Sequence, residues 1–444
     1  MGNGQNYWVK AKTFVFFSLI CISCFGRAKA QCPSDIGGEA VAEGKQQASL
    51  TGQLKFAHVI FRHGDRMPIN PYPTDPWGNP KYWPTAWGEL TNLGKQQHYE
   101  LGKWLRKRYN CLLGSRYNRD EIYMQSTDVD RTLMSAESHL AGLYEPIDQD
   151  VWNPQIKWQP IPVHSVPEKA DPILAAKAPC PAFDYYLANL QASSEFQSLI
   201  ERYENLFNYL SANSGRQIKT FIDAQYLNNT LFIETLYNKT LPVWAQKVYG
   251  GANLTWASNF AFSVNTYTRT MARLKGGPLL KDILERFEIK IKNQLIPDRN
   301  VFIYSAHDTT IANLLNTLKL FEPHSPPYTA CIMLELRVDA NNMPLVSVFY
   351  KNTTAEPLPM NIPNCGVSCP LAKLIDLYAD VLPGNWVDEC KRSTLTMTYE
   401  EANLAAASGI LICIIGVLLC ASFGLMIYYR RRNYSMYTSY AQMA

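Results

Sequence analysis

The chain of 444 residues predicts an α/β fold: a layered sheet core interrupted by a smaller helical insertion. Three observations point there. Short apolar runs at 54–61, 122–125 and 301–304 have strand length and β-branched or aromatic content. Each runs into a loop dense in polar chemistry: Arg62-His63-Gly64-Asp65-Arg66-Met67-Pro68, Ser126-Thr127-Asp128-Val129-Asp130-Arg131-Thr132 and Ser305-Ala306-His307-Asp308-Thr309-Thr310. Between the second and third loops, residues 183–288 change to helical patterns with charged faces. Loops leaving the C-terminal ends of strands are where open α/β sheets build their sites.

In chain order, residues 1–30 read as a secretory signal peptide. Lys10 and Lys12 precede an apolar stretch at 14–25, and Ala28-Lys29-Ala30 supplies the cleavage site. The body that follows, about 370 residues, has the length for a core with an inserted unit. We expect the core at 31–182 and 289–400, with a helical cap at 183–288. Leu54-Lys55-Phe56-Ala57-His58-Val59-Ile60-Phe61 is a buried strand, and 70–88, rich in Pro, Trp, Tyr and Gly, an ordered covering loop. Residues 91–109 have helical spacing, with Leu93, Gln97, Leu101, Trp104 and Leu105 near one face and Thr91 as N-cap. The Pro- and Trp-dense stretch 150–182 is a long rigid connection. After the third strand comes a helix at 311–320, then strands at 331–338 and 345–350, expected to be antiparallel.

At the far end, 405–429 offers 25 residues without a charge, followed by Arg430-Arg431-Arg432. That length spans a bilayer, and the basic cluster places the tail, 430–444, in the cytosol. The expectation is a type I membrane protein with a luminal or extracellular body. Tyr440-Ala441-Gln442-Met443 has the pattern of an endocytic and lysosomal sorting signal, which a sorting adaptor would read.

The net charge of +4 misrepresents that body. Signal and tail carry seven basic residues and no acidic ones; removing them leaves 35 basic against 38 acidic residues, near −3. No nucleic-acid surface is implied. Of 11 cysteines, Cys21 and Cys24 leave with the signal and Cys413 and Cys420 fall in the expected span. The remaining seven, Cys32, Cys111, Cys180, Cys331, Cys365, Cys369 and Cys390, read as disulfides in an oxidising compartment, with at least one odd thiol. Asn228, Asn238, Asn253 and Asn352 head Asn-x-Ser/Thr glycosylation sequons.

The loops carry the chemistry. Arginine guanidinium is planar, permanently charged and matched to a phosphate dianion. An imidazole between two of them can be held neutral at one nitrogen and aimed at phosphorus. Arg131 begins a helix whose amides favour an anion, unless it is tied to Asp128 or Asp130. No H-E-x-x-H or other ligand cluster is present, so neither metal nor cofactor is expected. His58 belongs to a buried strand and His164 orders its loop; His98, His139 and His324 are structural or surface. Trp77, Trp83 and Trp87 are packing residues before they are an entrance lining.

Together these segments resemble the histidine acid phosphatases, whose marks are an early R-H-G-x-R-x-P and a late H-D. The likeness extends to S-T-D-V-D-R-T-L-M-S-A at 126–136, W-Q-P-I-P-V-H at 158–164 and Y-S-A-H-D-T-T at 304–310. It thus spans most of the body, and leans towards the lysosomal and prostatic kinds. The resemblance implies a three-layer core of the phosphoglycerate-mutase-like type, a homodimer, and hydrolysis of orthophosphoric monoesters at acidic pH. It makes His63 the nucleophile that becomes phosphohistidine and Asp308 the proton donor. Arg62, Arg66, Arg131 and His307 would bind the phosphoryl oxygens. It also implies the bridges Cys180–Cys390 and Cys365–Cys369, and a lysosomal membrane or luminal location, with plasma membrane or extracellular as the alternative.

Two departures stand out. Ile233 occupies a position where the family has a cysteine, which leaves Cys331 without its usual bridge. Gln125 stands where close relatives carry arginine. Two rival functions are an inositol-phosphate phosphatase of the same superfamily, which would want a more basic cavity, and a glycosylated receptor-like ectodomain without turnover. The latter should show substitution at His63, Arg131 or Asp308, and none is seen.

Overall fold

The computed structural model describes residues 50, 52–391, 408, 411, 413–428 and 430. In chain order, β1 (Gln53–Arg62) leads through α1 (Asn92–Arg108) to β2 (Ile122–Thr127), α2 (Asp130–Leu143) and β3 (His164–Val166). Helices follow: α3 (Pro181–Ala192), α4 (Ser194–Ser214), α5 (Phe221–Leu236), α6 (Val243–Gln246), α7 (Ala252–Val264), α8 (Arg269–Lys275) and α9 (Gly277–Ile291). Then come β4 (Val301–Ala306), α10 (Asp308–Thr317), β5 (Cys331–Val338), β6 (Pro344–Lys351), β7 (Cys369–Pro370), α11 (Leu371–Tyr378) and α12 (Trp386–Cys390).

The strands form one sheet in the order β3-β2-β4-β1-β5-β6-β7. β3, β2, β4 and β1 run parallel, and β5, β6 and β7 are added antiparallel. β1 is central and buried on both faces, and its period-2 alternation divides its side chains between two cores. Ala57, Val59 and Phe61 join Leu101 and Leu105 of α1 and Ala136 and Leu140 of α2. Phe56 and Ile60 join Leu280 and Ile283 of α9, Ile311 and Leu314 of α10 and Leu374 of α11. This is the expected three-layer α/β core. Helices α4, α5 and α7 keep a core of their own around Phe207, Leu210, Phe221, Leu227, Leu231 and Ala257. The boundary expected at 288 runs through α9, whose apolar side packs on the sheet.

Local signals set the helix ends. Thr91 caps α1 by accepting from the Gly94 amide, and Arg106, Lys107 and Arg108 sit in its last turn, where they offset the helix dipole. α1 and α2 cross where only hydrogens fit: a Cβ on Gly102 would lie 2.1 Å from the His139 carbonyl oxygen, and one on Gly142 2.0 Å from that of Tyr99. α10 begins at Asp308, earlier than the expected 311, because an N-terminal carboxylate suits the positive end of a helix. The three-residue β3 was not foreseen; its side chains are all exposed and give no apolar alternation.

Cys180–Cys390 ties the start of α3 to α12, and Cys365–Cys369 closes a short loop. Cys111 is disulfide-bonded, whereas Cys331 is a buried free thiol. Ile233, standing where the family has a cysteine, packs with Met67 and Trp83, and the thiol of Cys331 is left free, as the departure implies. Asn238, Asn253 and Asn352 are exposed. Asn228 is half-buried, and its amide donates to Ser258 of α7 at 3.1 Å. The signal peptide, Cys32 and Tyr440 lie outside the described residues, as does part of 405–429. Among the described residues no helix is long and apolar enough to cross a membrane.

Loop 70–78 meets α5 through acids. Glu234 is fully buried, with neither carboxyl oxygen satisfied by a protein donor among the described residues. Burial first, then the neighbouring Asp75, push its carboxyl up to about 8. A protonated Glu234 can share its hydrogen with Asp75; two carboxylates there would repel. The folded value lies above the unfolded one of about 4.3. The stabilisation is therefore complete below pH ~4 and is lost as pH rises through about 8. We expect the melting temperature to fall between pH 5 and 8.5, and Glu234→Gln to flatten that fall, an effect on the order of 2 kcal/mol. An unchanged slope in the variant would assign the pH dependence elsewhere.

Candidate active site

Sheet register brings the three polar loops together. Arg62 pairs with Ala306, and Ser126 with Ser305, so β1, β2 and β4 end level. His63 and Arg66 follow β1, Arg131 opens α2 behind β2, and His307 and Asp308 join β4 to α10. All six residues expected at the site thus meet at one edge of the sheet. The β1 loop lies flat against α1: a Cβ on Gly64 would fall 2.4 Å from the Gly94 carbonyl oxygen. Glycine is required there by this close approach.

His63 is buried, and its Nδ1 lies 2.8 Å from the Gly64 carbonyl oxygen. A carbonyl only accepts, so Nδ1 carries the proton and Nε2 keeps its lone pair. Burial, then Arg62, Arg66, Arg131 and His307, hold the imidazole well below its ordinary value, so it stays neutral at acidic pH. His98, buried in α1, places Nε2 3.1 Å from the Arg62 carbonyl oxygen and steadies the loop from behind.

The three arginines are held differently. Arg62 is fully buried; it donates to the Pro326 carbonyl, meets Asp308 at 2.9 Å and lies 4.4 Å over the Tyr328 ring. Arg66 donates to the Met67 carbonyl at 3.0 Å and to Asn229 Oδ1 of α5 at 2.9 Å. Arg131 has neither Asp128 nor Asp130 as a partner; its Nε is shut from solvent without an acceptor among the described residues. Burial first, then Arg66, bring this guanidinium down to about 10, so it remains charged.

Burial alone would raise the Asp308 carboxyl; Arg62, Arg66, His307 and the Thr309 amide outweigh it and hold it below its ordinary range. His307 is brought down to about 3 by burial and then Arg131, and is neutral. Its Nε2 stands 3.0 Å from Thr127 Oγ1, which stands 2.8 Å from Thr132 Oγ1. Thr132 donates to the Val129 carbonyl at 2.7 Å. Thr127 then donates to Thr132 and accepts from His307 Nε2, so the expected His307 donor is already engaged by Thr127.

His58, His164 and Trp83 have structural engagements of their own. His58 Nδ1 faces Tyr304 Oη at 3.1 Å, His164 stacks on Tyr123 at 4.7 Å, and Trp83 is buried against Met67 and Ile233. Several site residues were not foreseen. Asp65 is fully buried and accepts from Thr91 and from Tyr237, just past α5. Tyr328, its hydroxyl buried without a partner among the described residues, packs near His63 and the half-exposed Phe232. Pro326-Pro327-Tyr328 was the available signal, a stiff turn aiming an aromatic.

The arrangement is a neutral imidazole with an unprotonated Nε2, ringed by cations, with one carboxylate alongside. Among the described residues no group of three His, Cys, Asp or Glu side chains could hold a metal ion. The family model "Histidine phosphatase superfamily (branch 2)" matches residues 53–351. The chain is 37% identical over 361 residues to prostatic acid phosphatase of Homo sapiens, covering 80% of this chain and 92% of that one. It is 35% identical over 371 residues to lysosomal acid phosphatase of Xenopus laevis, covering 83% and 85%. Among solved structures, Hafnia alvei phytase in complex with myo-inositol hexakis sulphate superposes with a TM-score of 0.58 at 19% identity, over 77% of this chain and 98% of that one. At that identity the likeness shows fold alone.

Arg131 supplies the test of anion binding. Arg131→Ala should weaken inorganic phosphate binding, read by calorimetry at pH 5, roughly 10- to 100-fold, the size of one or two charge-assisted hydrogen bonds. The melting temperature should not fall, because Arg131 donates to no acceptor among the described residues.

Proposed function

The chain belongs to branch 2 of the histidine phosphatase superfamily, and from that premise we propose an acid phosphatase that hydrolyses orthophosphoric monoesters through a phosphohistidine on His63. The observation that carries this reading is the His63 tautomer: Nδ1–H is fixed by Gly64, and Nε2 is unprotonated among three guanidiniums. Nε2 attacks phosphorus, the ester P–O bond breaks, and the leaving oxygen takes a proton from Asp308. Asp308 then removes a proton from water, whose oxygen attacks the phosphohistidine. Inorganic phosphate departs and the imidazole is restored. Arg62, Arg66 and Arg131 stabilise the charge on the transferring oxygens.

The surrounding cations favour the ionised Asp308 carboxyl, so it must gain its proton with substrate. A phosphate dianion among the arginines offsets the cations that depress the carboxyl, and acidic medium supplies the proton. The same dianion would recharge His307 and give it a second N–H to offer.

The inositol-phosphate reading has phytase folds beside it, but a body near −3 argues against a highly anionic substrate. The curated relatives include lysosomal and prostatic acid phosphatases, consistent with a lysosomal or extracellular place of action. A membrane anchor at 405–429 and adaptor contact through Tyr440 rest on sequence pattern. A homodimer has added support from exposed Val166 on the edge strand β3 and exposed Trp152 and Trp158 on the segment leading into it.

The deciding experiment is a single turnover with a 32P-labelled aryl phosphate at about pH 5, quenched in base to spare the phosphoramidate. Label should be trapped on wild type and absent from His63→Ala. Turnover with no His63-dependent label would establish direct attack by water instead. Asp308→Asn should slow hydrolysis of alkyl phosphates by about 10²–10⁴. Esters whose leaving alcohol is already acidic should lose far less. An equal loss on both would remove Asp308 from the proton-donor role.

A further inference from the structure

α5 reaches into the phosphate clamp with a side chain that the sequence presents as part of a glycosylation signal. Asn228-Asn229-Thr230 is a sequon, yet its three side chains have other engagements. Asn228 donates to Ser258, and Thr230 donates to the Tyr226 carbonyl at 3.3 Å. Asn229, the unconstrained middle position, points Oδ1 at Arg66 Nη2, 2.9 Å away. A guanidinium only donates, so the carboxamide orientation is fixed: oxygen towards Arg66, nitrogen away.

We propose that Asn229 is a positioning residue for the phosphate clamp, a neutral acceptor that aims Arg66 while leaving its whole positive charge for the substrate dianion. This deepens the phosphatase reading above and rests on it. The contrast within the site supports it. Arg62 is already paired with Asp308, so part of its charge is spent inside the protein. Arg131 has no hydrogen-bond acceptor among the described residues, and there the Nε atoms of all three arginines are buried without one. Arg66 lies between these cases, held on one side by the Met67 carbonyl and on the other by an amide, with no carboxylate in the hydrogen-bonding shell. A carboxylate at 229 would hold Arg66 as firmly and would compete with every arriving phosphate. An apolar residue there would leave the buried guanidinium free to rotate. The charged and titratable groups sharing this field are Arg62, His63, Asp65, Arg131, Asp308 and Tyr328.

The test compares wild type, Asn229→Asp and Asn229→Ala on an aryl phosphate, with inhibition by inorganic phosphate, from pH 6 down to about 3.5. Each substitution keeps an Asn-x-Thr sequon, so glycosylation at 228 is not altered by design. Asn229→Asp should raise KM and the phosphate inhibition constant roughly tenfold or more at pH 6, with kcat within about threefold. That penalty should shrink as the new carboxyl protonates. Asn229→Ala should raise both constants a few-fold without pH dependence. Equal, pH-independent losses in the two variants would reduce Asn229 to a packing residue, and an unchanged KM in Asn229→Asp would overturn the proposal outright. If Asn229→Asp does not fold, an unchanged phosphate inhibition constant in Asn229→Ala is the overturning result. Wild type lacking His63-dependent turnover would instead count against the phosphatase reading itself.

Discussion

Everything at this site follows from crowding three guanidiniums around one buried imidazole. Burial and that positive field keep His63 and His307 neutral, and the field holds the Asp308 carboxyl ionised against its burial. The site is therefore set electrostatically to receive a dianion. Each cation is restrained by a different means: an ion pair and an aromatic face for Arg62, a carbonyl and an amide for Arg66, the start of a helix for Arg131.

The scaffold that tolerates this crowding is rigid by construction. β1 is buried on both faces, its end is level with β2 and β4, and the loop beyond it is pressed onto α1 at Gly64 and Gly94. Asp65 ties the loop to the N-cap of α1 and to Tyr237 beyond α5. Side-chain precision of this kind needs supporting contacts fixed in turn by packing.

Much of this was legible in the sequence because Arg62, His63, Arg66, Arg131, His307 and Asp308 each sit within a few residues of an apolar run. Once the runs are strands, register does the rest. Asn229 and Tyr237 were not legible, since their partners lie 163 and 172 positions away. Nothing local in α5 encodes that pairing, and Asn229 was masked by the sequon around it. β3 escaped notice because an exposed edge strand needs no alternation, and α9 was grouped with the cap because its periodicity says helix without saying which core it faces. Glu234 lay in a sequence window noted only for the residue before it.

Four successive contacts join α5 and the residue past it to the catalytic floor: Asn229 to Arg66, Phe232 to Tyr328, Ile233 to Met67, and Tyr237 to Asp65. A hinged opening of the helical unit would drag the loop that carries His63 with it. The mouth is thus a fixed aperture rather than a door. Product departure becomes a matter of water exchanging with phosphate through a rigid opening, and the range of acceptable esters is set by the shape of that opening.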